Sequence, residues 1–362
     1  MNKDFAGSKF MLFLIIWSII VLFVIIGVLE VLYVTHGLDT NAVLMSPWFL
    51  IGYQLVNLML PLAIWMLIKR EGFSNTPNWK LGGKNIILIV ALSFLLQPAM
   101  MLLSAISSLF FPNPIADMLN DFTQHPFLLV VVAAAVTPAI CEEVVFRGYI
   151  QSRQRGTIMK VALLNGLFFA IIHLNLHQFA YTFAMGVVFA YLVYYTRSVW
   201  AGILPHFIIN ATQATWGRLA MLAEVAEDAP EPHITDVIIV FGVIALILMP
   251  VIAVLFRSFV RHNRWRLTAK EQHGSEPDDY THNYDYEHDS GYGVQPADTS
   301  WLAAGFGDSG QVGGEVVPAE ASHDAPPDTP VYSADEKPSG FDFYAVAVVV
   351  IFVAIMAMSM AL

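Results

Sequence analysis

The sequence predicts an all-α membrane protein: a polytopic helical bundle of about eight core transmembrane helices, with a ninth at the C-terminus. Three observations carry this. Hydrophobic residues make up 57% of the 362 and charged residues only 13%, far from a soluble mixture. Apolar runs of crossing length, about 17–25 residues, recur along the chain. The basic residues between those runs fall almost entirely on one side of an alternating topology. An open strand edge cannot face lipid, so such runs are read as helices.

The runs lie at 10–34, 46–68, 86–111, 127–152, 159–176, 178–196, 199–217, 235–256 and 343–362. The first follows Lys3 and Lys9. It lacks a small-residue cleavage site, so it is read as an uncleaved span. In the third, Gln97 and Pro98 are read as shaping a kink. The fifth and sixth are barely separated, and their boundary is soft. With the N-terminus cytoplasmic, the cytoplasmic segments hold every one of the 18 basic residues except Arg147, inside the fourth span, and Arg218. The opposite orientation would put almost every base on the wrong side.

Residues 271–342 change character. They carry more than half of the chain's 29 acidic residues and a single base, Lys337. Gly, Asp, Glu, Pro, Ser, Tyr and His dominate, which reads as a disordered acidic linker. Its Tyr280–Tyr292 stretch, with His273, His282 and His288, is read as solvated tail. The final run, 343–362, is expected to be an accessory helix outside the catalytic bundle, on a tether long enough to let it sit beside the bundle or away from it. The tail is also the candidate site for recruiting a protein partner. The net charge of −11 comes largely from this segment, and no basic patch suggests nucleic-acid binding. The single cysteine, Cys141, excludes an intrachain disulfide and any multi-cysteine metal site. Cys141 itself is read as a small packing residue.

The fourth span contains Cys141-Glu142-Glu143-Val144-Val145-Phe146-Arg147. An acid or base at the bilayer centre costs roughly 2.5–3.5 kcal/mol, so such residues face inward, pair, and mark working sites. Glu143 and Arg147 are i, i+4 and share a helix face. They are expected to pair. Glu142 points about 100° away and has no local cation, which suits a general base. Pro138, one turn earlier, frees a backbone carbonyl. Later spans add Phe169-x-x-x-His173 and His206-x-x-x-Asn210. Counting from the charged cytoplasmic flanks, these polar groups lie roughly 14–20 Å in, at ~1.5 Å per residue. Three helices therefore bring polar groups to a similar level. His125, His177 and His233, at the outer ends of spans, are expected to face water.

This ordered set, Glu142-Glu143-x-x-x-Arg147, Phe169-x-x-x-His173 and His206-x-x-x-Asn210, resembles the three-motif signature of the CPBP family. These are CAAX-type prenyl proteases and bacteriocin-processing or immunity proteins, regarded as intramembrane glutamic endopeptidases. The resemblance covers about residues 127–217. It implies that Glu142, assisted by His173, activates a water. His206 and Asn210 would hold the oxyanion, and Glu143 with Arg147 would support the site. No cofactor or metal is implied, and no His-Glu-x-x-His zinc pattern is present. The expected substrate is a peptide or membrane protein, with CAAX-type C-terminal processing one class. The expected location is the plasma membrane of a bacterium. Alternatives are a non-enzymatic immunity or scaffold protein, a zinc-dependent protease and a proton-coupled transporter. The corresponding organisation is N-terminal helices at 1–126, catalytic helices at 127–217, an eighth helix with its basic flank at 218–270, the linker at 271–342 and the terminal helix at 343–362.

Overall fold

The computed structural model describes residues 5–70, 72, 80–113, 118, 122, 124–227, 233–264 and 342–361. The acidic linker therefore lies outside the described residues, except for Asp342. Among the described residues there is no strand, and nine long helices follow the nine apolar runs. They are α1 Ala6–His36, α2 Pro47–Lys69, α3 Gly83–Ser108, α4 Phe127–Arg153, α5 Ile158–Ile172, α6 Leu176–Thr196, α7 Trp200–Glu227, α8 Ile234–Asn263 and α9 Phe343–Ala361. A short helix, Thr40–Leu44, is capped by the Asp39 carboxylate and precedes α2. Six of the nine are long and apolar enough to cross a membrane: α1, α2, α3, α4, α6 and α8. Apolarity of α7 ends well before the helix does, and α8 continues past its apolar run through Arg257 and Arg261.

α5 departs from the expected span. It has 15 residues, about 22 Å at 1.5 Å per residue, which is short of a hydrocarbon core of ~30 Å. It ends at His173, and the chain reverses through Leu174 in the left-handed region, φ 48°. Asn175 then caps α6 by accepting from the Gln178 amide. The α5–α6 hairpin closes on glycine. A Cβ on Gly166 would lie 2.9 Å from the Phe183 carbonyl oxygen, and one on Gly186 would lie 2.7 Å from the Gly166 Cα. Without a hydrophobic drive between helices in lipid, small residues that let backbones approach supply the packing.

Proline and wide turns shape α2 and α4. Pro61 and Pro138 cannot donate to the carbonyl one turn back. Immediately before each proline's helical turn, the backbone widens into π-helix at Leu55–Met59 and Val132–Val136. A third π-helical stretch, Val144–Ile150, follows Glu143. α3, by contrast, runs through Pro98 as one helix.

The core is built on α4. Phe10, Met11 and Leu14 of α1 pack against Phe146, Tyr149 and Ile150 of α4 and Phe169 of α5. The Phe10 and Tyr149 rings meet edge to face at 4.8 Å. α9 joins this cluster, so of the two placements its tether allows it rests beside the bundle. Val348, Phe352 and Met356 are buried in it, and Phe352 stacks on Phe179 of α6 at 5.5 Å. Ser8 Oγ of α1 donates to Asp342 Oδ2 at 2.6 Å. The polar linker sets only the reach of α9, and these contacts fix where it rests.

Candidate active site

Glu142 and Glu143 are adjacent on α4, and both are buried. They make different contacts. Glu143 Oε1 accepts from Arg147 Nη1 at 2.7 Å and from His206 Nδ1 at 2.9 Å. Its other oxygen lies against Gly202 of α7, where a Cβ would collide with it. Arg147 is fully buried and also donates through Nη2 to the Gly186 carbonyl at 3.2 Å. Its guanidinium lies over the faces of Phe169, 4.3 Å from the centroid, and Phe189, 5.3 Å. Arg147 Nε and Glu143 Oε2 have no hydrogen-bond partner among the described residues, so the pair rests on its mutual contact and on cation–π attraction from two aromatic faces.

Glu142 Oε1 accepts from Gln54 Nε2 of α2 at 2.9 Å. Its Oε2 has no hydrogen-bond partner among the described residues. It faces His173 Nε2 and His206 Nε2, each at 3.9 Å. That is too long for a direct hydrogen bond and suits a single bridging water.

The opposite nitrogens fix the imidazoles. His173 Nδ1 lies 2.7 Å from the Phe169 carbonyl oxygen, and His206 Nδ1 meets the Glu143 carboxylate. Carbonyl and carboxylate oxygens only accept, so both Nδ1 atoms carry hydrogen and donate. In the neutral rings each Nε2 then presents a lone pair toward Glu142. Phe169 seats both rings, edge to face with His173 at 5.1 Å and with His206 at 5.8 Å.

Asn210 lies one turn beyond His206 on α7 and donates through Nδ2 to the Ala134 carbonyl at 3.2 Å. Ala134 is the residue four before Pro138, so Pro138 cannot supply it with an amide hydrogen. The second Nδ2 hydrogen remains for the cavity. A cavity of about 110 Å³ joins these groups. Glu142, Phe169, His173, Tyr181, His206 and Asn210 line it, with Gln178 of α6 and Gln213 of α7. Its volume admits several waters at roughly 10–15 Å³ of probe-occupied space each.

All six residues singled out from sequence thus meet in one region. Two others were read differently or missed. His177, expected to face water, is buried, and its Nε2 lies 2.9 Å from Ser108 Oγ of α3. The turn residues 173–176 are half-buried, and His177, in the first turn of α6, is directed toward α3. Gln54 was not singled out. Its signal is a polar pair, Tyr53-Gln54, within the second apolar run. Cys141 packs in the core cluster. Among the described residues no three His, Cys, Asp or Glu side chains are gathered as a metal-binding group.

Fold and centre together define a helical membrane protein with a buried carboxylate–imidazole site. Residues 124–212 match the family described as type II CAAX prenyl endopeptidase, Rce1-like. That segment holds all three motifs, and the matching family is of the kind those motifs resemble. A Bacillus subtilis (strain 168) protein named "Putative membrane peptidase YdiL" is 33% identical over 93 residues, 25% of this chain. The chain covers 37% of that relative's length. No solved structure matches.

Proposed function

We propose that the protein is an intramembrane endopeptidase that hydrolyses a peptide bond in a membrane-associated peptide or protein. The observation that carries this reading is the free oxygen of Glu142, facing two imidazole nitrogens at 3.9 Å across a cavity. A water bridging there donates one hydrogen to Glu142 Oε2 and the other to His173 Nε2. Glu142 takes its proton as the hydroxide oxygen adds to the substrate carbonyl carbon. His206 and the second Asn210 hydrogen hold the oxyanion. To donate from Nε2 while Nδ1 donates to Glu143, His206 takes up a second ring hydrogen, and the two carboxylates, Glu142 and Glu143, then offset the charges of Arg147 and His206. Collapse breaks the C–N bond, and the proton on Glu142 passes to the leaving amine. The basic-residue distribution supports a cytoplasmic N-terminus, and the Bacillus subtilis relative favours a bacterial plasma membrane. CAAX-type C-terminal processing is the substrate class the family match favours.

The test compares purified wild type with Glu142→Gln on membrane proteins from the source. New termini are read by mass spectrometry. A general base contributes about 10²- to 10⁴-fold, so Glu142→Gln should lower turnover by that order while the protein still folds. Near-normal cleavage by the variant sinks the assignment. A folded wild type that produces no new termini favours a non-enzymatic scaffold.

A further inference from the structure

We propose that Gln54, on α2, is a positioning residue for Glu142. It lies outside the segment 124–212 that carries the family match, so the working site extends into the N-terminal helices. The proposal rests on the reading of Glu142 as the base.

The argument begins with the two carboxylate oxygens of Glu142. They are chemically equivalent until something distinguishes them. Gln54 does so, because its Nε2 donates to Oε1 at 2.9 Å and leaves Oε2 facing His173 and His206. The Gln54 amide has one orientation consistent with this contact. An ionised carboxylate only accepts, so the NH₂ end must face it. The bond pins rotation of the carboxylate about its last torsion, which is otherwise soft. It also gives the ionised base a neutral donor. A lysine or arginine there would pair with the charge and blunt its basicity, whereas an amide orients it and leaves it free to take a proton.

The backbone supports this placement. Gln54 is the last residue before the π-helical stretch Leu55–Met59. Glu142 lies between two others, Val132–Val136 and Val144–Ile150. Such widened turns shift the faces that helices present, and they concentrate at functional sites. Gln54 and Glu142 are 88 positions apart, so the contact exists only because α2 and α4 cross at that level.

A merely structural amide, tying α2 to α4, makes a different prediction from a positioning one. Gln54→Met keeps the length of the side chain and removes the donor. Gln54→Glu keeps the shape and sets a second acceptor against Glu142. Both are assayed on the peptide found with the wild type, with melting followed in detergent. A misplacement of about 1 Å can cost as much as 10²-fold. Gln54→Met should therefore lose roughly 10- to 100-fold in kcat, with KM within about twofold and melting near wild type. Gln54→Glu should lose at least as much. Gln54→Met with wild-type kcat overturns the proposal. So does a loss of activity that tracks lowered melting. If Gln54→Met does not accumulate folded, Gln54→Asn, with its amide on a shorter arm, decides in the same way: wild-type kcat overturns the proposal, and a selective kcat loss supports it. If wild type and Glu142→Gln cleave alike, the base assignment fails first, and that outcome is distinct from failure at Gln54.

Discussion

α4 and α8 are both apolar helices of crossing length, 27 and 30 residues, and α8 is the more hydropathic of the two. Their surroundings are opposite. In the most apolar window of α4, 56% of residues are buried inside the protein; in α8 it is 6%. α4 carries two carboxylates and a guanidinium, all buried. α8 carries its arginines beyond the apolar run and presents Leu246, Ile247 and Val254 outward. Apolarity places both helices in the membrane, and ionisable residues separate the helix that must be enclosed from the one that meets lipid. A charge facing lipid has no partner, so α4 has to be wrapped by α1, α2, α5, α6 and α7, while α8 can rest on α3 at the edge.

The hardest test of that contrast is the Glu143–Arg147 pair. Removing one member of a buried pair typically costs about 3–5 kcal/mol, because the other is left uncompensated. Glu143→Ala should be the worse of the two, since it strips a partner from both Arg147 and His206. Arg147→Ala leaves Glu143 its bond to His206. The double variant should be less unstable than the sum of the singles, read as melting shifts in a double-mutant cycle. Strictly additive shifts would show that the pair does not act as a unit.

The sequence made α4 legible because charged residues stand out in apolar runs and i, i+4 spacing is a property of any helix. Residue counts from the basic flanks also put Glu142, His173 and Asn210 at one level. What remained hidden lies in contacts between distant segments. Gln54 resembles any helix-packing amide until α2 is seen against α4. His177 looked terminal because its run was assumed to span, and its contact with Ser108 of α3 joins segments 69 positions apart. Linker composition could not tell where α9 would dock, since the contacts of Ser8 with Asp342 and of Phe179 with Phe352 join segments far apart in the sequence. The linker itself lies outside the described residues.

Glycine gives a paired comparison of intermediate size. A Cβ on Gly202 of α7 would collide with Glu143 Oε2 and lie 3.1 Å from its Cδ. A Cβ on Gly242 of α8 would meet only Leu102 Cδ1, at an ordinary 3.7 Å. Gly202→Ala should cost about 1–3 kcal/mol by overpacking. It should also lower activity, because the displaced carboxylate holds both Arg147 and His206. Gly242→Ala should be neutral or gain up to about 1 kcal/mol from helix propensity, with unchanged turnover. Equal tolerance at the two positions would mean that α7 does not press on Glu143 as closely as the geometry shows.

The smallest effect is expected where α8 makes its own polar contact. Asn85 of α3 and Asn263 of α8 exchange hydrogen bonds, each Nδ2 donating to the other's Oδ1 at 2.8 Å. Both are buried, and Asn263 Nδ2 also donates to the Phe259 carbonyl at 2.9 Å. The reciprocity ties the two amide orientations to each other, and the Phe259 carbonyl, which only accepts, sets the Asn263 nitrogen and hence both. Interhelical hydrogen bonds in membranes average only about 0.6 kcal/mol, because the separated helices find other partners. Asn85→Ala and Asn263→Ala should therefore each lower stability by about 1 kcal/mol or less. Both bonds are lost in either single variant, so the double variant should resemble the singles. Turnover should stay within about twofold, because neither side chain touches the Glu142 cavity and distant sites without shared partners act independently. A turnover loss comparable to that of Gly202→Ala would mean that α8 is coupled to the centre through α3, and the contrast between the enclosed helix and the peripheral one would fail.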